Sequence, residues 1–406
     1  MDSRRNFLGK VASGLAGTLA AGPARVLSAN DRIRVGFIGA GDRGMELLNQ
    51  VRACGNTEIV AFSDVYTLRL AKARDLVPAA TTYLDYRRML DDNSIDAVVI
   101  ATPQHLHAAH FCASLSAGKH VYQERTMAFT VEHAKLMRAA FRKDGGKHVV
   151  QIGHQSCSFG HVADVQQFLS DSQRLGTITS IEMRNYRNTP RNKPQWSRPA
   201  LLTADVNPDN VVWNSFQGEA PPRAFDAGRF IHWRYFWDYS GGNVHENMCQ
   251  QVSFWYKALQ LQIPKTATMT GGVYVWKDGR ETPDTMNVVL EQPEEMLVSW
   301  TSGLGNNQLG VTEDVLGTHG AISRDSQVRY VPQRMNRPGG TEMAGRSTHV
   351  PHVHMQNFFD CVRSGKEPNC PFDLGFRVSI ACRMAVDSYR QGHTLRWDPK
   401  KEEISS

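Results

Sequence analysis

The stretch from Arg32 to Met45 constrains this chain more than any other. Ile33-Arg34-Val35-Gly36-Phe37-Ile38 reads as a buried strand, and Met45-Glu46-Leu47-Leu48 opens a helix. Between them, Gly39-Ala40-Gly41-Asp42-Arg43-Gly44 has the spacing G-x-G-x-x-G. The spacing alone is a weak signal; a strand before it and a helix behind it give it physical meaning. Gly39 permits the tight turn and Gly41 lets a pyrophosphate approach the backbone. Gly44 lets helix and strand pack closely, with the helix N-terminus facing the phosphates.

A second strand, Glu58-Ile59-Val60-Ala61-Phe62-Ser63, ends at Asp64, 20 residues beyond Gly44. A carboxylate there accepts hydrogen bonds from the adenosine ribose and repels a 2′-phosphate, so NAD is favoured over NADP. Arg69 and Arg74 follow, which leaves NADP open.

The chain of 406 residues is long enough for two domains. The net charge is +6, but residues 1–29 hold Arg4, Arg5, Lys10 and Arg25 against Asp2, so the remainder carries +3. No basic stripe with interleaved aromatics is present, which argues against a nucleic-acid partner. The seven cysteines are scattered without a C-x-x-C pair and read as buried thiols.

Ser3-Arg4-Arg5-Asn6-Phe7-Leu8 is a twin-arginine pattern, followed by a mildly apolar run from Val11 to Ala21 that is too short to span a bilayer. Residues 1–29 are therefore expected to be a cleavable twin-arginine signal. The mature chain is then periplasmic or otherwise extracytoplasmic, exported folded and without a stable membrane anchor.

After Asp64, helical and strand patterns alternate as a doubly wound sheet requires. Helices are expected at about 68–76, 83–90, 105–117 and 131–142, and strands at 95–103, 120–124 and 148–153. Thr102-Pro103 and Glu124-Arg125 lie at carboxyl ends of strands, where ligands of such sheets bind. Together, Gly39 to Gly44, Asp64, Thr102-Pro103-x-His105-Leu106-His107, Ala117-Gly118-Lys119-His120-Val121 running into Glu124, and a later Gly241-Gly242 resemble the Gfo/Idh/MocA oxidoreductases. That resemblance implies an α/β Rossmann domain (30–154) followed by an α+β domain (155–406) with a large open, mostly antiparallel sheet that often forms a homo-oligomer interface. It also implies hydride transfer between NAD and the hydroxyl carbon of a sugar or polyol. Cofactor contacts are expected from Gly39, Ala40, Gly41, Asp42, Arg43, Gly44, Asp64, Thr102, Pro103, His107, Glu124 and Arg125.

Two motifs depart from the family pattern. Its usual Glu-Lys-Pro is Glu124-Arg125-Thr126 here. Arginine keeps the positive charge and adds bidentate donors but cannot shuttle a proton. The family's Asp and catalytic His after Gly-Gly correspond to Glu246 and Gln250, whose i, i+4 spacing puts them on one helical face. Glutamine can bind a hydroxyl but cannot accept its proton. Glu246 is the nearest substitute base, and His245 is a second candidate that a regular helix would turn about 100° away. Arg125, Glu246, Gln250 and His245 are thus the catalytic candidates. His154, Tyr186, Trp233, Arg234 and Tyr239 are the substrate candidates.

A long stretch without periodic pattern, 187–240, is dense in Trp, Arg, Pro and Asn; its arginines Arg187 and Arg191 could bind hydroxyls or an anion. Beyond it a helix is expected at 243–259, strands at 266–276, 286–291, 296–302, 314–316 and 327–331, and a last helix at 376–389 packing back on the first domain. His349, His352 and His354 cluster without supporting ligand spacing, so no metal is expected. The leading reading is an exported NAD-dependent oxidoreductase acting on a sugar or polyol and holding its nucleotide tightly, since free NAD is scarce outside the cytoplasm. The alternatives are an NAD-dependent glycosidase using transient sugar oxidation and a non-catalytic, nucleotide-loaded sugar-binding protein.

Overall fold

A computed structural model describes residues 32–189, 193–197, 204–334, 337–338, 340–343, 350 and 352–406. The expected signal segment (residues 1–29), Arg191 and His349 lie outside the described residues.

Six strands form the first sheet: β1 (Ile33–Ile38), β2 (Thr57–Ser63), β3 (Thr81–Tyr83), β4 (Ala97–Ile100), β5 (His120–Gln123) and β6 (Val150–Ile152). Their order is β3-β2-β1-β4-β5-β6, every pair parallel. The order reverses between β1 and β4, and this is where a doubly wound sheet opens a ligand crevice. The first domain is therefore the expected Rossmann-like fold. Strand β3 was not anticipated: three residues, Thr-Thr-Tyr, are too few to show a period, and only the following turn, Tyr86–Leu90, is helical.

The helix Asp42–Arg52 buries Leu47, Leu48 and Val51 on one face of the sheet. The same cluster takes Met355, Phe358 and Phe359 from a distant helix, Val353–Ser364. The opposite face, with Val98, Ile100, Phe111 and Val121, runs without a break into the core of the second domain.

That second domain is a mixed, mostly antiparallel sheet. Its strands are β7 (Ile178–Tyr186), β8 (Thr266–Gly272), β9 (Thr285–Glu291), β10 (Leu297–Gly303), β11 (Val311–Gly317), β12 (Gly320–Arg324) and β13 (Val328–Arg334), in the order β13-β12-β11-β7-β10-β9-β8. Leu395–Asp398 adds beyond β8, with Glu403–Ser405 outside it. The one parallel contact in that run is β7 on β10.

The helix Phe372–Gln391 crosses back to the first domain. The Ser379 hydroxyl accepts from the Ala128 N–H at 3.2 Å, and a Cβ at Gly375 would sit 2.6 Å from Ile152. All seven cysteines are free thiols, six of them buried. No helix of the described residues is long and apolar enough to cross a membrane.

Candidate active site

The glycine turn is built as its spacing demands. Gly39 has φ +99°, and a Cβ there would lie 2.7 Å from the Ala101 carbonyl. At Gly44 a Cβ would stand 2.2 Å from the Gly39 carbonyl, closer than any side chain tolerates. Gly41 caps the helix Asp42–Arg52 without a side-chain hydrogen bond. Its missing Cβ faces only the Arg69 guanidinium, at 3.5 Å. The turn is thus tight underneath and open on its ligand side.

Asp64 closes that turn. One carboxylate oxygen accepts from the Ala40 N–H at 2.8 Å and the other from the Tyr66 N–H at 3.0 Å. Arg69 stands 3.9 Å away. Each oxygen keeps a further lone pair, so ribose hydroxyls can still be accepted. Ala40 therefore serves the turn through its own N–H rather than lining the pocket. The open glycine face, the uncapped helix start and the carboxylate beside it fit NAD.

From this turn a cavity of about 800 Å³ runs along the carboxyl ends of β1, β4 and β5. Its walls include Asp42, Arg43, Thr102, Pro103, Glu124 and Arg125, and it ends at Trp233, Arg234 and Glu246. Most of the expected cofactor residues and both ends of the expected chemistry share this one space. Its size matches ordinary small-molecule sites, which hold roughly 300–1,000 Å³.

Glu124 is the buried pivot. Its Oε1 accepts from Arg43 Nε at 3.0 Å and Nη2 at 2.7 Å. Its Oε2 accepts from the Arg125 N–H and Nη1, both at 3.1 Å. Burial alone would raise this carboxyl, but the two guanidiniums outweigh it and hold the pKa at about 2. Arg125 also donates from Nε toward the Glu246 carbonyl at 3.4 Å. With the Gln250 amide oxygen turned toward it, Arg125 donates from Nε and Nη2 to that oxygen at 3.0 Å each. Gln250 thus stands behind Arg125 as its holder and is not on the cavity wall. The Arg125–Thr126 peptide is cis.

Glu246 presents its carboxylate to the cavity. Oε1 accepts from Gln104 Nε2 and Arg234 Nε, both at 3.0 Å. Arg234 in turn lies over the Trp233 ring, 4.1 Å from its centroid. The Gln104 amide oxygen accepts from the Gly241 N–H at 2.9 Å, so one side chain ties the Thr-Pro loop to the Gly-Gly turn. Gln104 is the unassigned x of that loop, and nothing in the sequence marked it.

Five expected site residues lie away from the cavity. Residues 244–248 form a π-helical turn before the α-helix Cys249–Leu259, and His245 lies fully buried within that turn. There its ring has no polar partner, and burial, with Arg383 nearby, pushes it down to about 3. His154 is fully buried beside Arg125, and burial followed by that charge lowers it to about 3 as well. Neither ring reaches the cavity. His107 braces two loops from inside, its ring nitrogens 2.8 Å from the Thr126 carbonyl and 2.9 Å from that of Thr102. Tyr239 belongs to an apolar cluster with Phe216 and Phe230. Tyr186 lies along Gly303 at the end of β7, off the cavity wall. His354 is buried, bonded to Ser158 Oγ and the Ile152 carbonyl. Among the described residues no group of three or more His, Cys, Asp or Glu is placed to hold a metal.

Comparison with known proteins now bears on this geometry. Residues 33–154 match the family GFO_IDH_MocA, described as an oxidoreductase family with an NAD-binding Rossmann fold. The first domain is thus similar to the NAD-binding domains of that family.

One relative is the 1-carboxy-3-chloro-3,4-dihydroxycyclo hexa-1,5-diene dehydrogenase of Comamonas testosteroni, 34% identical over 154 residues, which are 38% of each chain. Another is a glycosyl hydrolase family 109 protein of Shewanella baltica, 36% identical over 111 residues, 25% of this chain and 24% of that one. The matched stretches therefore span well under half of these relatives. Over nearly the whole fold, the chain is similar to a levoglucosan dehydrogenase solved with NADH and levoglucosan (TM-score 0.68, 16% identity, 90% of this chain and 99% of that one). It is likewise similar to an aldose-aldose oxidoreductase of Caulobacter crescentus (TM-score 0.65, 18% identity, 90% and 99%).

Proposed function

We propose that the whole chain is a Gfo/Idh/MocA oxidoreductase that oxidises a carbon–hydroxyl group of a sugar or polyol with NAD, after export by the twin-arginine route. The supporting observation is the single cavity that joins the glycine turn and Asp64 to Arg125, Glu246 and Arg234. Bound NAD would supply the hydride acceptor. Arg125, fixed by Glu124 and Gln250, binds the reacting oxygen through its remaining donor capacity and stabilises negative charge developing there. Glu246 takes the hydroxyl proton, the task that neither Arg125 nor Gln250 can perform. Trp233 offers an aromatic face, and Arg234 orients the Glu246 carboxylate.

The test uses the mature chain purified from its exported location. Its nucleotide is released and identified by mass spectrometry, and absorbance at 340 nm (the NADH band) is followed against a panel of polyols and sugars. Glu246→Gln should abolish hydride transfer while NADH still binds. Failure of any nicotinamide nucleotide to bind, or full activity of Glu246→Gln, would overturn the reading. The glycosidase alternative draws support from the family 109 relatives and is distinguished by aglycone release without net NADH.

A further inference from the structure

The stretch that shows no period in sequence lies as a strap across the nucleotide crevice. From residue 204 to Phe230 the chain leaves the second domain and lies on the first; from Tyr235 onward it is bonded back to Glu281 and Thr282 of the second. Val211 forms an antiparallel bridge with Tyr66, just past Asp64. The Val212 N–H donates to the Val65 carbonyl at 2.8 Å, and the Thr67 N–H to that of Asn210 at 3.0 Å. Further along, His105 Nε2 bonds the Phe216 carbonyl at 2.7 Å, and His133 stands 3.6 Å from Glu219. An apolar cluster of Tyr66, Val206, Val211, Phe216, Phe230 and Tyr239 seals the contact.

The strap is also braced within itself. Asp238 is shared by Arg223 at 2.9 Å and Arg229 at 3.1 Å, and Arg229 reaches Glu281 at 3.3 Å. The cavity lies between this strap and the strand ends: Asn214, Phe216, Gly218 and Phe230 form the wall opposite Gly41 and Asp64. Phe230 also carries the Arg69 guanidinium, 5.1 Å from its ring centroid, beside Asp64.

We infer that the strap makes the nucleotide a resident group, exchanged only when the contact between the strap and residues 65–67 opens. The inference rests on the NAD reading above. Opening must break two backbone hydrogen bonds and expose a packed aromatic cluster, an excursion that is rare on the timescale of turnover. A resident nucleotide limits the chemistry to cycles that balance at one site. The substrate carbon gives up a hydride and its hydroxyl a proton to Glu246. Both must be returned, to the same molecule after it has been transformed or to a second carbonyl compound, before another round begins.

NADH serves as the probe. The full mature chain is loaded with NADH, chased with excess NAD, and followed by nucleotide fluorescence. Exchange should take minutes or longer. Val211→Ala should speed it by about tenfold or more while the melting temperature changes little. Tyr66→Cys with Val211→Cys, facing positions on an antiparallel bridge, should form a disulfide that slows exchange by about tenfold, reversed by reductant. Exchange within a second at the same rate in all three proteins would overturn the strap's role. A chain that binds no NADH would instead overturn the NAD reading.

Discussion

Two glycines of one turn should fail in different ways when replaced. A methyl at Gly44 meets the Gly39 carbonyl at 2.2 Å, so the helix must move off the strand. Gly44→Ala is expected to lose about 1–3 kcal/mol of stability, an overpacking penalty in a site that cannot yield. At Gly41 the backbone is extended (φ −72°) and a methyl makes only ordinary contact with Arg69. Gly41→Ala should therefore cost less, about 0.5–1 kcal/mol, the penalty of alanine against glycine at a helix N-cap. It should still weaken NADH binding by about tenfold, because the methyl stands where the pyrophosphate must approach. Calorimetry and fluorescence titration separate the two outcomes; equal melting temperatures for the two variants would refute the distinction. This part of the site was legible because each glycine answers to a local steric rule. Arg125 was legible as a departure, but its pose was not. Besides its chain neighbour Glu124, two groups distant in sequence, the Gln250 amide and the Glu246 carbonyl, decide where its guanidinium points.

The helix Cys249–Leu259 carries Gln250 and continues the turn that presents Glu246. What seats it on the sheet is a buried polar chain. Gln251 donates to Glu313 Oε1 at 3.0 Å and accepts from Trp300 Nε1 at 2.8 Å, and Arg324 lies 3.2 Å from the other Glu313 oxygen. Burial raises the Glu313 carboxyl, and Arg324 only partly opposes it. Removing one member leaves a charge without its counterpart, so Arg324→Met should destabilise the fold by about 3–5 kcal/mol. Arg324→Met combined with Glu313→Gln should recover most of that loss in urea denaturation, and no recovery would mean the pair acts by packing alone. Element legibility follows the same logic of distance. The parallel strands and the long helices declare themselves by apolar runs and 3.6-residue periods. The π-helical turn does not: regular i, i+4 spacing set Glu246 and Gln250 on one face and left His245 open as a candidate. Within that turn His245 lies fully buried in the core. β12 and the strands after residue 394 are short or half-polar, and they gain their identity only from neighbours already in the sheet.

At the scale of the molecule, burial of neutral histidines ties the fold to pH. His110, His154 and His245 are each held at about 3, below the ordinary 6.5, by burial first and then by a neighbouring His107, Arg125 or Arg383. Below pH 6.5 the unfolded chain takes up protons that the folded chain refuses, so stability present above that pH is lost as the pH falls toward 3. Each ring contributes a slope of up to about 1.4 kcal/mol per pH unit. The carboxylates with depressed pKa, such as Glu124 at about 2, act the same way but only from about 4.5 downward. Glu313, raised by burial, acts in the opposite sense. Between pH 6.5 and 5 the depressed carboxylates are silent, and the histidines set a fall that Glu313 opposes. Urea denaturation at pH 7, 6 and 5 should show stability falling across that interval. His245→Leu, which removes an unpartnered ring from the core without touching the cavity, should make the fall shallower by about 1.4 kcal/mol per pH unit. An unchanged slope in His245→Leu would mean that the ring reaches solvent or a partner when charged. That result would put His245 back among the candidates for proton transfer beside Glu246.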